Sequence, residues 1–255
     1  MPTAPFSPPS GVTALAEPPA EARPWWRPHA IALAAMAAVL SVLTWQVIVY
    51  GPLTALDWPV HEAADANQPT GWSMALSVLV ARLGQRAVTI PLMLLAAGWC
   101  AWKLRSARPV VAVVVSLGSL YVLGYGLKYA VGRTPPRTEM DAVFMPGFVS
   151  YPSGHAANAA LTYAFIAVLL WGASGWRPDR RLLRIGLAVS AVPTAAVGVL
   201  MVSLDYHWLS EIPTGWLLGY VVLGIGRLAL GPPRPAAPGG SGPPGTDGDE
   251  RAAAG

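Results

Sequence analysis

Six uninterrupted apolar stretches dominate the chain, approximately Ala30 to Tyr50, Ala87 to Trp102, Pro109 to Leu127, Ala156 to Gly172, Leu182 to Ser203 and Ile212 to Leu230. About 20 residues rising about 1.5 Å each cross a hydrocarbon core of about 30 Å. Backbone groups in lipid must be satisfied within the segment, so such stretches form helices and not strands. The expected fold class is all-α, an integral-membrane bundle of six transmembrane helices. Only 12% of the 255 residues are charged against 54% apolar, which excludes a soluble core of ordinary composition. Pro91 and Pro193 fall inside spans, where a kink is tolerated.

Basic residues set the orientation. Lys103, Arg105 and Arg108 crowd one short loop, and Arg177, Arg180, Arg181 and Arg184 crowd another two spans later. Both loops are expected on the cytoplasmic side of the cell membrane. Six spans then put both termini inside and send 51–86, 129–155 and 204–211 outside. The start lacks a basic region followed promptly by a short apolar core, so the first span reads as an uncleaved anchor.

The chain divides into a Pro/Ala-rich N-terminal tail over 1–28, a membrane domain over 29–230 and a Pro/Gly-rich C-terminal tail over 231–255. Both tails have the composition of disordered segments. A single cysteine, Cys100, excludes intramolecular disulfides and cysteine-based metal sites. The net charge of +4 is mostly the inside signal plus Arg133 and Arg137, and it makes no basic stripe for nucleic acid. No motif specifies an oligomeric state.

In the first outer segment, Trp72, Leu76, Leu79, Val80 and Leu83 recur near helical spacing and are closed by Gly84. This predicts an amphipathic helix at the outer interface. Asp57, His61, Glu62 and Asp65 precede it; they read better as a solvated loop than as a metal site.

Three elements carry chemistry. Lys128 closes the third span and leads through Arg133 to Pro135-Pro136-Arg137, which sets three cations at the membrane surface. Ser153-Gly154-His155, preceded by Pro152, opens the fourth span; Ser153 fits an N-cap, and the helix start a site for an anion. His207 is followed four residues later by Glu211 at the start of the sixth span. At that spacing the carboxylate is able to accept from one ring nitrogen and leave the other free to attack.

Together these elements resemble the type-2 phosphatidic acid phosphatase and vanadium haloperoxidase superfamily, in its membrane lipid phosphatase branch. That family carries Lys-x6-Arg-Pro, Pro-Ser-Gly-His and Ser-Arg-x5-His-x3-Asp elements, and the resemblance covers roughly Asp57 to Leu230. It implies a hydrolase that needs neither metal nor cofactor and whose partners are the bilayer and a phosphorylated lipid. His207 would attack phosphorus to form a phosphohistidine, Glu211 would orient its ring, and His155 would protonate the leaving alkoxide and then activate water. Lys128, Ser153 and the Gly154 amide would hold phosphoryl oxygens.

The chain also departs from the pattern. Pro135 and Met201 stand where the family has its two arginines, and Glu211 replaces an aspartate. Arg133 and Arg137, two residues to either side of Pro135, are the expected substitutes as phosphate-binding groups, with Arg133 preferred. For the Met201 position the candidates are Arg82 and Arg86 in the outer segment. The expected function is hydrolysis of a lipid phosphomonoester or pyrophosphate on the extracytoplasmic side, of the undecaprenyl pyrophosphate, phosphatidic acid or phosphatidylglycerophosphate class. The alternative is a catalytically weakened relative that binds or helps transfer such a lipid.

Overall fold

The computed structural model describes residues 24–233. Both expected tails therefore fall almost wholly outside the described residues; of the first, only 24–28 is seen, and it already contains the start of a helix. The described chain forms eight α-helices: α1 Arg27–Ile48, α2 Asp57–Ala66, α3 Gly71–Ala81, α4 Arg86–Leu104, α5 Arg108–Val131, α6 Gly154–Trp171, α7 Arg180–Ser203 and α8 Glu211–Leu230. No strand occurs among the described residues. Six helices, α1 and α4 to α8, are long and apolar enough to cross a membrane, and they match the six expected spans. Pro91 and Pro193 lie inside α4 and α7, which continue through them.

Helix α6 is the axis of the bundle. Most of its residues are buried, whereas α1 is largely exposed. Alanines at 156, 157, 159, 160, 164 and 167 keep the α6 surface low enough for neighbours to approach closely. Across from them α8 offers Gly215 and Gly219 at a four-residue spacing, the small-residue pattern that brings membrane helices into backbone contact. A Cβ at Gly215 would stand 2.5 Å from the Ser153 carbonyl oxygen, and one at Gly219 would stand 2.6 Å from that of Ala157. This approach lets the Ser153 N–H donate to the Glu211 carbonyl at 3.2 Å and ties the starts of α6 and α8 together. Gly215→Leu is expected to force the two helices apart and to lower stability by about 1–3 kcal/mol, the usual cost of overpacking. Thermal unfolding in detergent checks this.

The spans alternate in direction, so the ends of α1, α5 and α7 and the starts of α4, α6 and α8 meet at one end of the bundle. Contacts there confirm it: Tyr50 Oη donates to the Asp141 carbonyl at 3.2 Å, and Thr44 and Tyr151 share a hydroxyl hydrogen bond of 2.7 Å. The opposite end carries the two arginine-rich turns, where Asp179 caps α7 by accepting from the Arg181 and Leu182 N–H groups at 2.7 and 2.9 Å.

The outer segment folds more than the sequence pattern indicates. The amphipathic helix is present as α3 and a 3-10 turn over Arg82–Gly84, with Trp72, Leu76 and Leu79 on its exposed face and Met74 and Val78 against α7. Asp57, His61, Glu62 and Asp65, however, lie on a helix, α2, and not in a solvated loop. Asp57 is fully buried, and His61 Nδ1 meets Asp205 Oδ1 at 2.7 Å beside the rings of Trp58 and Trp208. Glu62 and Asp65 are exposed.

Candidate active site

At the end where the three sequence elements converge lies a pocket of about 400 Å³ lined by Arg86, Lys128, Gly154, His155, Asn158 and His207, among others. A second space of about 350 Å³ adjoins it, sharing His155 and His207 and adding Arg82, Met201 and Tyr206. The two histidines, some fifty residues apart in the chain, thus face common cavities.

His207 sits in the loop before α8, not on the helix, and Glu211 is the first residue of α8. The pair meets all the same: His207 Nδ1 lies 2.5 Å from Glu211 Oε2. Ser150 Oγ donates to the same carboxylate oxygen at 2.7 Å. With Nδ1 as donor, Nε2 is the nitrogen left with a lone pair for the pocket. Glu211 is completely buried, and its Oε1 accepts no hydrogen bond from the described residues, standing 3.8 Å from Arg133 Nη1.

Ser153 caps α6, its Oγ accepting from the Ala156 N–H at 3.4 Å. The side chain is buried and turned to its own helix, so Gly154 and His155 are the parts of this element that line the pocket. Gly84, at the end of the α3 turn, packs so closely on this region that a Cβ there would stand 2.6 Å from the His155 carbonyl oxygen. Asn158 Nδ2 donates to the Gly84 carbonyl at 3.1 Å and fixes the turn to α6.

Lys128 stands one turn before the end of α5, which runs on to Val131. Its ammonium donates to the carbonyls of Val149, Ser150 and Pro152 at 2.6, 3.1 and 3.0 Å. It therefore holds the loop into α6 in place and brings its charge to the pocket wall. Tyr151, in that loop, is buried; loss of hydration pushes its phenol up from the ordinary tyrosine range, so it stays protonated in its bond to Thr44.

The two arginines expected beside the phosphate are turned elsewhere. Arg133 is fully buried and spends its donors on an internal cage: Nε to Asp141 Oδ1 at 2.8 Å, Nη1 to Ser210 Oγ at 2.8 Å, and Nη2 to Asp57 Oδ2 and Asp141 Oδ2 at 2.7 and 2.8 Å. A fixed planar fork with four of its five N–H groups bonded, and fully buried, is not presented to an exchangeable ligand. Arg137 donates to the Leu204 and Asp205 carbonyls at 2.9 and 3.2 Å and lies over the Tyr206 ring, fastening the end of α7. Neither lines the pocket.

Several residues in this architecture escaped the sequence reading. Asp57 also accepts from the Ser210 N–H at 2.8 Å, which links α2 to the loop carrying His207. Trp208 Nε1 donates to the Thr134 carbonyl at 2.7 Å. The one local signal was the Asp57 and His61 pair at i and i+4, which share a helix face.

The fold and the site agree with what the chain is similar to. No curated protein matches it. Among solved structures, the crystal structure of a transmembrane PAP2 type phosphatidylglycerolphosphate phosphatase from Bacillus subtilis matches with a TM-score of 0.59 at 18% identity, covering 76% of this chain and 94% of that one. At that identity the likeness is one of fold. The model of the PAP2 superfamily matches residues 109–231, which contain Lys128, the Ser153-Gly154-His155 element and the His207 and Glu211 pair. This stretch, from the first turn of α5 to the residue after α8, is where the chain is similar to the PAP2 superfamily.

Proposed function

We propose that this protein is an integral-membrane lipid phosphatase working through a phosphohistidine and needing no metal. The observation that carries the reading is the His207 and Glu211 contact of 2.5 Å at the wall of a pocket that His155 and Lys128 share. In the proposed reaction His207 Nε2 attacks phosphorus, the N–P bond forms as the ester or anhydride O–P bond breaks, and His155 gives its proton to the departing oxygen, that of an alkoxide from a monoester or of a lipid phosphate from a pyrophosphate. His155 then takes a proton from water as its oxygen attacks phosphorus, the N–P bond breaks, and inorganic phosphate leaves. Lys128 and the Gly154 amide are proposed to bear on the phosphoryl oxygens, with Ser153 shaping the helix start.

A lipid substrate is supported by an apolar groove of about 400 Å³ along α1, α5 and α8, lined by Leu40, Thr44, Leu127 and Leu218 among others. Leu218 also lines a narrow space with Arg86, Lys128 and Gly154, so apolar groove and polar pocket share a wall. A chain lying in the groove would bring its phosphate to the histidines. Phosphatidic acid, phosphatidylglycerophosphate and undecaprenyl pyrophosphate all have this form. Release of phosphate from each by the purified protein, with His207→Ala as the blank, tests the reading: wild-type release no faster than the blank sinks it. The second reading, a lipid-phosphate binder of weak activity, is favoured by Pro135 and Met201 at the two arginine positions, and it predicts lipid-phosphate binding without release.

The basic turns at the far end of the bundle put the pocket on the extracytoplasmic side in this proposal. A cysteine replacing exposed Met140 is expected to react with a membrane-impermeant thiol reagent on intact cells, and one replacing exposed Ala173 only after lysis. The native Cys100 is buried and gives little background. The reverse labelling pattern overturns the orientation.

A further inference from the structure

Hydrolysis through a phosphohistidine develops negative charge on the phosphoryl oxygens, and the superfamily pattern meets it with two arginines that this chain lacks. Pro135 carries no charge, and Met201 is buried among Ala156, Val197, Leu204 and Ile212. The nearest arginines in sequence are consumed, Arg133 in its carboxylate cage and Arg137 on the carbonyls ending α7. Lys128 is held by three carbonyls. A phosphate in the pocket would still meet cations, because Arg86 lines the pocket and Arg82 lines the space adjoining it.

Arg86, the first residue of α4, lines the main pocket and its narrow extension together with Lys128 and Gly154. No carboxylate among the described residues pairs with it. Its Nη1 donates to Tyr125 Oη at 3.1 Å and its guanidinium lies 5.0 Å from the centre of the Tyr125 ring, which orients the fork and leaves most of its donors free. Arg82, four residues earlier, lines the adjoining space with Met201, His155 and His207. One arginine thus shares a wall with Lys128 and the other shares a wall with the residue standing at the vacated arginine position. The turn bearing both is tied to α6 through Gly84, Asn158 and the bond from Tyr163 Oη to the Leu83 carbonyl at 2.9 Å. We infer that Arg86 and Arg82 hold the phosphoryl oxygens during the reaction, in place of the two arginines missing from the first and third elements.

This rests on the phosphatase reading, and one experiment keeps the two apart. Phosphate release from short-chain phosphatidic acid in detergent micelles is measured for wild type, His207→Ala, Arg86→Ala, Arg86→Lys, Arg82→Ala and the double variant Arg82→Ala/Arg86→Ala. Loss of one preorganised donor to a developing oxyanion costs on the order of 100- to 1000-fold. Arg86→Ala is therefore expected to lose about 100-fold in kcat/KM, Arg86→Lys less, and the double variant more than either single one. Free guanidinium at millimolar concentration is expected to restore part of the activity of Arg86→Ala and none of that of His207→Ala, a response that a merely structural role would not give. Inorganic phosphate is expected to inhibit the double variant more weakly than wild type. If wild type is no faster than His207→Ala, the phosphatase reading fails. If wild type is faster and the double variant keeps its kcat/KM, the phosphatase reading stands and the arginine assignment is overturned.

Discussion

His207→Ala is expected to reduce phosphate release to the uncatalysed background, and Glu211→Gln to remove most of the same activity while leaving the fold intact. The two variants separate the attacking group from the group that prepares it. Without the imidazole there is no nitrogen to bond phosphorus. With glutamine at 211 the ring remains, but the amide brings no charge to offset the positive imidazole that forms on attack. Its NH2 group, placed where Oε2 now accepts from His207 Nδ1 and Ser150, also favours the wrong tautomer. Replacing the carboxylate behind a catalytic imidazole by an amide costs about 10⁴-fold in kcat in the best-studied hydrolase triad. A loss near that size is expected here, read as kcat on a soluble short-chain substrate. Glu211→Asp shortens the arm by one methylene and is expected to fall between wild type and the amide. Full activity in Glu211→Gln would remove the carboxylate from the mechanism.

Arg133→Met is expected to destabilise the protein by about 3–5 kcal/mol, the usual cost of removing one partner of a buried ion pair. Asp57 and Asp141 each accept from this guanidinium, and both are nearly inaccessible to water. Without it, two carboxylates face each other and Glu211 with no cation between them. Arg133→Lys is expected to rescue little, since a single ammonium cannot reproduce donors spread over Asp57, Asp141 and Ser210. The check is thermal unfolding in detergent beside activity. A variant that melts like wild type yet loses only affinity for phosphate would return Arg133 to the pocket.

That residue also shows where sequence reading stops. The spans were legible because an apolar run of membrane length has one structural solution, and each of the six ends within a few residues of the expected position. Ser153 as a cap and the His207 and Glu211 contact follow from local spacing, and both are present. The direction of Arg133 is decided by Asp57, 76 residues earlier, and Ser210, 77 residues later. No window along the chain contains that choice. α2 was obscured for the same reason: its polar residues look solvated until a distant cation explains why Asp57 is buried. Arg82, in the turn after α3, and Arg86, at the start of α4, are positioned by Gly84 meeting α6 between them.

The cage around Arg133 also has a bearing on biogenesis. Its members are drawn from Asp57, Asp141 and Ser210, so they are synthesised in three instalments with four spans between the first and the last. A growing chain that has delivered only its first five spans holds Arg133 and Asp141 but lacks Ser210, His207's anchored loop and Glu211. The start of α8 is held against α6 through Gly215 and Gly219. The residues that line the pocket and those that hold His207 are thus brought together only once α8 is present.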